Sequence, residues 1–174
     1  MSTIVADADG LIKLGKSGAL PALLSAARVL VPRAVWEEAV EEGKRGMHED
    51  AQVLEGLLLA EPGGAEVVEV EGAIGIGGSF GAGEAAALAA FRRYGADAVL
   101  TDDRAFLGLL AGSDPPVPAL VPTAAIVALT EGGHLNIGEA KEALDKIEPS
   151  VRKDAFGAAR GELEEMERAK ERER

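Results

Sequence analysis

Residues 7–18 read DADGLIKLGKSG, and two incompatible chemistries fit them. Gly10, Gly15, Lys16 and Ser17 match the phosphate-cradling pattern G-x-x-x-x-G-K-[ST]. Asp7 and Asp9, just upstream, look instead like the start of a carboxylate metal site. A phosphate loop needs a turn of small residues whose backbone N–H groups converge on an anion. Here its variable positions are Leu11, Ile12, Lys13 and Leu14, a bulky run that suits a buried helix, and the two aspartates would repel a triphosphate. A loose Walker-B-like match in AVLTD (98–102) leaves a P-loop NTPase as a remote third reading. Gly81, Gly83 and Ala86 match G-x-G-x-x-A, but no strand-like run leads directly into them. The stretch therefore reads as a strand end, an acidic turn and a helix.

That reading extends along the chain. Apolar runs at 3–6, 28–31, 67–70, 98–101 and 119–121 are candidate strands. Between them lie helical patterns at about 10–26, 33–45, 48–60, 82–94, 104–111 and 123–131. Pro32 suits the first position of the second helix, and Gly95 ends the fourth. Short apolar strands alternating with helices predict a parallel sheet covered on both faces. Asn136 and Glu139 form a capping box for a further helix to Ile147. A domain over 1–148 is followed by a charged helical tail over 149–174. From Gly161 the tail reads GELEEMERAKERER, which predicts a solvated or frayed helix. Residues 72–83 (GAIGIGGSFGAG) read as a mobile glycine-rich loop.

A chain of 174 residues can bury a real core. Hydrophobic residues make up 47%, with one Trp and one Tyr, which favours Ala- and Leu-rich helices on a small sheet over a β-sandwich. The absence of cysteine excludes disulfides, thiolate metal sites and cysteine nucleophiles. Eighteen basic against thirty acidic residues give a net charge of −12, whereas a nucleic-acid binder usually carries a basic footprint. Excess acid serves solubility, or marks clustered carboxylates that bind cations. No basic segment precedes the first apolar run, and Pro21 and Arg28 interrupt the longest one. Neither a signal peptide nor a membrane span is expected, and a cytoplasmic location is.

In an open parallel sheet, ligands gather at the carboxyl ends of the strands. Asp7 and Asp9 follow the first strand; Asp102 and Asp103 follow the fourth. A lone aspartate there is often turn chemistry, but two acidic pairs at corresponding strand ends point to a site. On helix 33–45 the apolar face holds Val35, Trp36, Ala39 and Val40, with Glu38 on its rim and Glu37 and Glu41 toward water. Glu84 aligns with Leu88 and Phe91 on the inward face, near the N-terminus of its helix, where the dipole also favours an acid. A buried unpaired carboxylate is costly and needs a cation or a proton. Oxygen-only clusters suit Mg²⁺ or Mn²⁺.

The segments IVADADGLIKL, VPRAVWEEAVEEG, GAGEAAALA and VLTDDRAF, in that order, resemble the four acidic motifs of PIN-domain ribonucleases, a family that includes the VapC-type toxins. The resemblance spans roughly residues 3–147. It places the metal acids at Asp7, Glu38, Glu84 and Asp103, with Asp9 and Asp102 as additional ligands to the same site. It implies a three-layer α/β/α fold with a central parallel five-stranded sheet, hydrolysing single-stranded RNA with one or two divalent ions. For a toxin it further implies a cognate antitoxin protein and a homodimer. The glycine-rich insertion, the charged tail and the acid at position 9 depart from the small toxins. A non-cleaving RNA-binding or regulatory module on the same fold is the alternative. His48 and His134 read as surface residues, and Lys13, Lys16, Arg33 and Arg104 as candidate phosphate contacts.

Overall fold

The computed structural model describes residues 1–61, 63–71 and 80–173. The glycine-rich loop expected over 72–83 lies mostly outside them. In chain order the elements are β1 (Thr3–Ala6), α1 (Ala8–Ser17), α2 (Leu20–Ala26), β2 (Arg28–Pro32) and α3 (Arg33–Trp36). A π-helical turn (Glu37–Glu42) continues α3 into α4 (Gly43–Arg45), and α5 (Glu49–Leu58) and β3 (Glu66–Val68) follow. Then come α6 (Ala82–Tyr94), β4 (Ala98–Leu100), α7 (Arg104–Gly112), β5 (Ala119–Leu120), α8 (Pro122–Glu131), α9 (Ile137–Ile147) and α10 (Lys153–Arg172).

The five strands form one parallel sheet in the order β3-β2-β1-β4-β5. The chain thus begins in the middle of its sheet, and β1 is hydrogen-bonded to β2 on one side and β4 on the other. Alternate strand residues face opposite layers, as the pleat requires. Ile4, Ala6, Val29, Val31 and Leu100 join the core built with α1, α2, α5, α8 and α9. Val5, Leu30, Val68 and Val99 join the core built with α6 and α7. Both faces are covered, so the strands read as continuous apolar runs. The molecule is the three-layer α/β/α sandwich that the alternation of strands and helices implies.

Three local expectations change. The helix expected over 10–26 is two helices, because Gly18 adopts a left-handed conformation (φ 81°) and caps α1. The helix expected over 33–45 carries the π-helical turn, whose wider backbone rotates Glu38 and its neighbours relative to α3. The third correction concerns the tail. Residues from Gly161 onward are solvated over most of their surface, as their charges predict, but they form a continuous helix with one stripe turned inward. Phe156, Ala159, Leu163 and Met166 recur at helical spacing along α10 and pack into the core, with Leu163 fully buried. Lys141–Glu167 and Arg160–Asp145 ion pairs, each 2.6 Å, fasten the same helix to α9.

Candidate active site

β1 and β4 end side by side, and the backbone N–H of Asp7 donates to the carbonyl of Leu100 (3.0 Å). Asp7 is the N-cap of α1, so one carboxyl oxygen accepts from the N–H of Gly10 (2.8 Å). The other accepts from the hydroxyl of Thr101, which in turn accepts from the N–H of Asp103 (3.2 Å). Asp103 caps α7 through the N–H of Phe106 (2.8 Å). One buried threonine therefore ties the two acidic strand ends together. Sequence reasoning missed Thr101 as a site residue, although it is the third letter of the VLTDDRAF segment.

Glycine makes this packing feasible. A Cβ on Gly10 would lie 2.6 Å from the Leu100 carbonyl oxygen, so only glycine lets α1 sit this close to β4. The span from Gly10 to Ser17 is a regular helix, which disposes of the phosphate-loop reading.

Glu38 and Glu84 meet on the neighbouring side. A Cβ on Gly83 would fall 2.5 Å from Glu38 Oε2, so the N-terminus of α6 abuts the Glu38 carboxylate. Glu84 turns one oxygen back onto the N–H of Gly81 at the head of α6. It is half-buried and serves the helix as well as the site. Beside Glu38 opens a cavity of about 650 Å³ between α1, the π-helical turn and α5, lined in part by Ile12, Lys16, Glu42, His48 and Leu54.

The carboxylates press on one another. Burial pushes the Asp7 carboxyl up to about 7 from an ordinary 3.8, against the opposing pull of the Thr101 and Gly10 hydrogen bonds, and Asp9 and Glu38 add repulsion. Asp7 is 4% exposed. Glu38, exposed at the rim of its helix, is also raised, by partial burial and then by Glu84, Glu42 and Asp9. Lys13 answers part of this charge. Its ammonium lies 3.0 Å from Asp9 and 2.8 Å from Asp102. Burial alone would lower it, yet the two carboxylates outweigh burial and hold it above its ordinary value. Lys13 is thus engaged within the acidic site and is not a free phosphate contact. Lys16 and Arg33 pair with Asp50 (3.4 Å) and Glu69 (3.0 Å), whereas Arg104 is exposed at the head of α7. His48 and His134 are exposed, as expected.

The donors suit a hard divalent cation: oxygen-only, short of positive charge, and including Asp9 Oδ2, which has no hydrogen bond among the described residues and lies 3.0 Å from the Lys13 ammonium. As arranged, the described residues hold no group of three His, Cys, Asp or Glu side chains close enough to share one ion. The donor chemistry fits a metal, while the side chains stand apart. Comparison with curated proteins and with solved structures returns no match. A family model described as a PIN domain matches residues 3–106. That span runs from β1 into α7 and contains every acid of the site. The chain belongs to the PIN-domain family, a nuclease-type fold.

Proposed function

We propose that the protein is a divalent-metal-dependent ribonuclease that cleaves single-stranded RNA, of the VapC toxin type. What supports this reading is the joining of the Asp7 and Asp103 strand ends through Thr101, with Glu38 and Glu84 on the neighbouring side and the Asp7 carboxyl raised to about 7 by burial. These four acids would hold Mg²⁺ or Mn²⁺. A bound ion of this kind lowers the pKa of a water and offsets charge on the leaving oxygen. The chain's own contribution is positional. Thr101 sets Asp7 and the Asp103 backbone in fixed relation, and Gly83 lets α6 close on Glu38. Exposed Arg104 is the cation best placed to meet a phosphate. As a toxin, the protein would act in the cytoplasm as a homodimer restrained by an antitoxin.

The non-cleaving RNA-binding module is the second reading, favoured by the separation of the described carboxylates. One assay separates the two. Single-stranded RNA is incubated with Mn²⁺ or Mg²⁺, and with EDTA as control. Wild type should cleave only with metal, Asp7→Asn and Asp103→Asn should lose cleavage while keeping native circular dichroism, and exposed Glu37→Gln should be nearly silent. Cleavage retained by both aspartate variants would remove the proposed site.

A further inference from the structure

Lys13 lies one turn beyond Asp9 on α1, and its ammonium bridges Asp9 Oδ2 at 3.0 Å and Asp102 Oδ2 at 2.8 Å. The Lys13 side chain is 16% exposed and that of Asp102 only 3%. Two carboxylates from beyond the neighbouring ends of β1 and β4, held by one cation, are the arrangement a bridging metal ion produces. The ammonium supplies the same service with one positive charge and three donors.

We propose that Lys13 is a built-in counter-ion standing where a second divalent cation would bind. The chain then takes a single ion, on the Asp7 and Glu38 side, and Asp9 and Asp102 are not ligands. This rests on the metal-site reading above. Three observations support it. Asp102 is nearly fully buried and would be costly to ionise unpaired, and Lys13 is the cation that meets it. The lysine stem rises from a helix pinned at Asp7 and pressed through Gly10 against the Leu100 carbonyl, and its largely buried ammonium is held between the two carboxylates. Finally, Asp9 Oδ2 makes no hydrogen bond among the described residues, and the Lys13 ammonium 3.0 Å away supplies a positive charge to it.

The test counts ions without reference to cleavage. Mn²⁺ binding to the full chain is followed by calorimetry and by low-temperature electron paramagnetic resonance. Wild type should bind one ion per chain and give an uncoupled signal. Lys13→Met should bind two and give the spectrum of an exchange-coupled pair. Asp102→Asn, which keeps the Lys13–Asp9 contact, serves even if Lys13→Met does not fold. It should retain one ion and lose less than about tenfold in affinity, the least that disturbing even an outer partner of a ligand costs. A coupled pair in wild type, one ion in folded Lys13→Met, or a larger loss in Asp102→Asn would overturn the counter-ion role and leave the metal site standing. Wild type that binds no Mn²⁺ would overturn the metal-site reading, and the counter-ion role with it.

Discussion

Asp7 has to ionise where the central strands β1 and β4 end, and burial makes that costly. Its folded value is about 7 against an ordinary 3.8. The native state therefore holds the proton more tightly than the unfolded chain, so stability falls as pH rises between about 4 and 7. At about 1.4 kcal/mol per unit the penalty reaches roughly 4 kcal/mol once the group is ionised. Asparagine removes it and keeps the local bonds, because its amide oxygen can accept from Gly10 N–H and its amide nitrogen can donate to the Thr101 hydroxyl. Metal-free Asp7→Asn should melt above metal-free wild type, with a gap that widens from pH 5 to pH 8 in thermal scans. Mn²⁺ at a hundredfold excess over Kd should stabilise wild type by about 2.7 kcal/mol, and that gain should nearly vanish in the variant. A gap independent of pH would show that Asp7 is an ordinary turn residue. The position of Asp7 was legible in the sequence, since an aspartate after an apolar run is a local signal. The Lys13–Asp102 contact was not, because its partners are 89 residues apart and no pattern within either segment joins them.

Among the elements, α1 is the one whose seating decides the site. It carries Asp7 at its head, Asp9 in its first turn and Lys13 one turn later. Gly10→Ala would drive a methyl group to 2.6 Å from a backbone oxygen that cannot turn aside. The helix would have to lift off β4, at a cost of about 1–3 kcal/mol for an overpacked contact. Urea unfolding should show that loss together with weakened Mn²⁺ binding; native stability and full binding would mean the approach is slack. Helices and strands were legible wherever apolar periodicity and end signals agreed, as in α6, which runs from Ala82 to Tyr94 and is closed by Gly95. The break at Gly18 was obscured because Leu20, Leu23 and Leu24 prolong the apolar pattern past it. The π-helical turn had no legible cause, since one extra residue within a helix alters hydrogen bonding without altering composition.

Across the whole molecule, α10 completes the helical layer over α8 and α9. Leu163 is fully buried there, so Leu163→Ala should cost about 2–5 kcal/mol in chemical denaturation. Removing residues 161–174 should lower the melting temperature more than that single change, because Met166 and the Lys141–Glu167 pair go as well. A truncated chain as stable as the full one would show that the helix adds nothing to the fold. The spacing of Phe156, Ala159, Leu163 and Met166 was the signal in the sequence, diluted by the charges between them. The sheet order has a different consequence, in time. β1 sits between β2 and β4, and Asp7 finds Thr101 across 94 residues. At roughly 5–20 residues per second, the ribosome delivers the second acidic strand end several seconds after the first. The nascent chain can pair β1 with β2 during that interval, but it carries only half of its acidic cluster. Until Asp103 has been added the nascent chain lacks part of the proposed site, so any activity toward RNA would begin only when most of the polypeptide has been made.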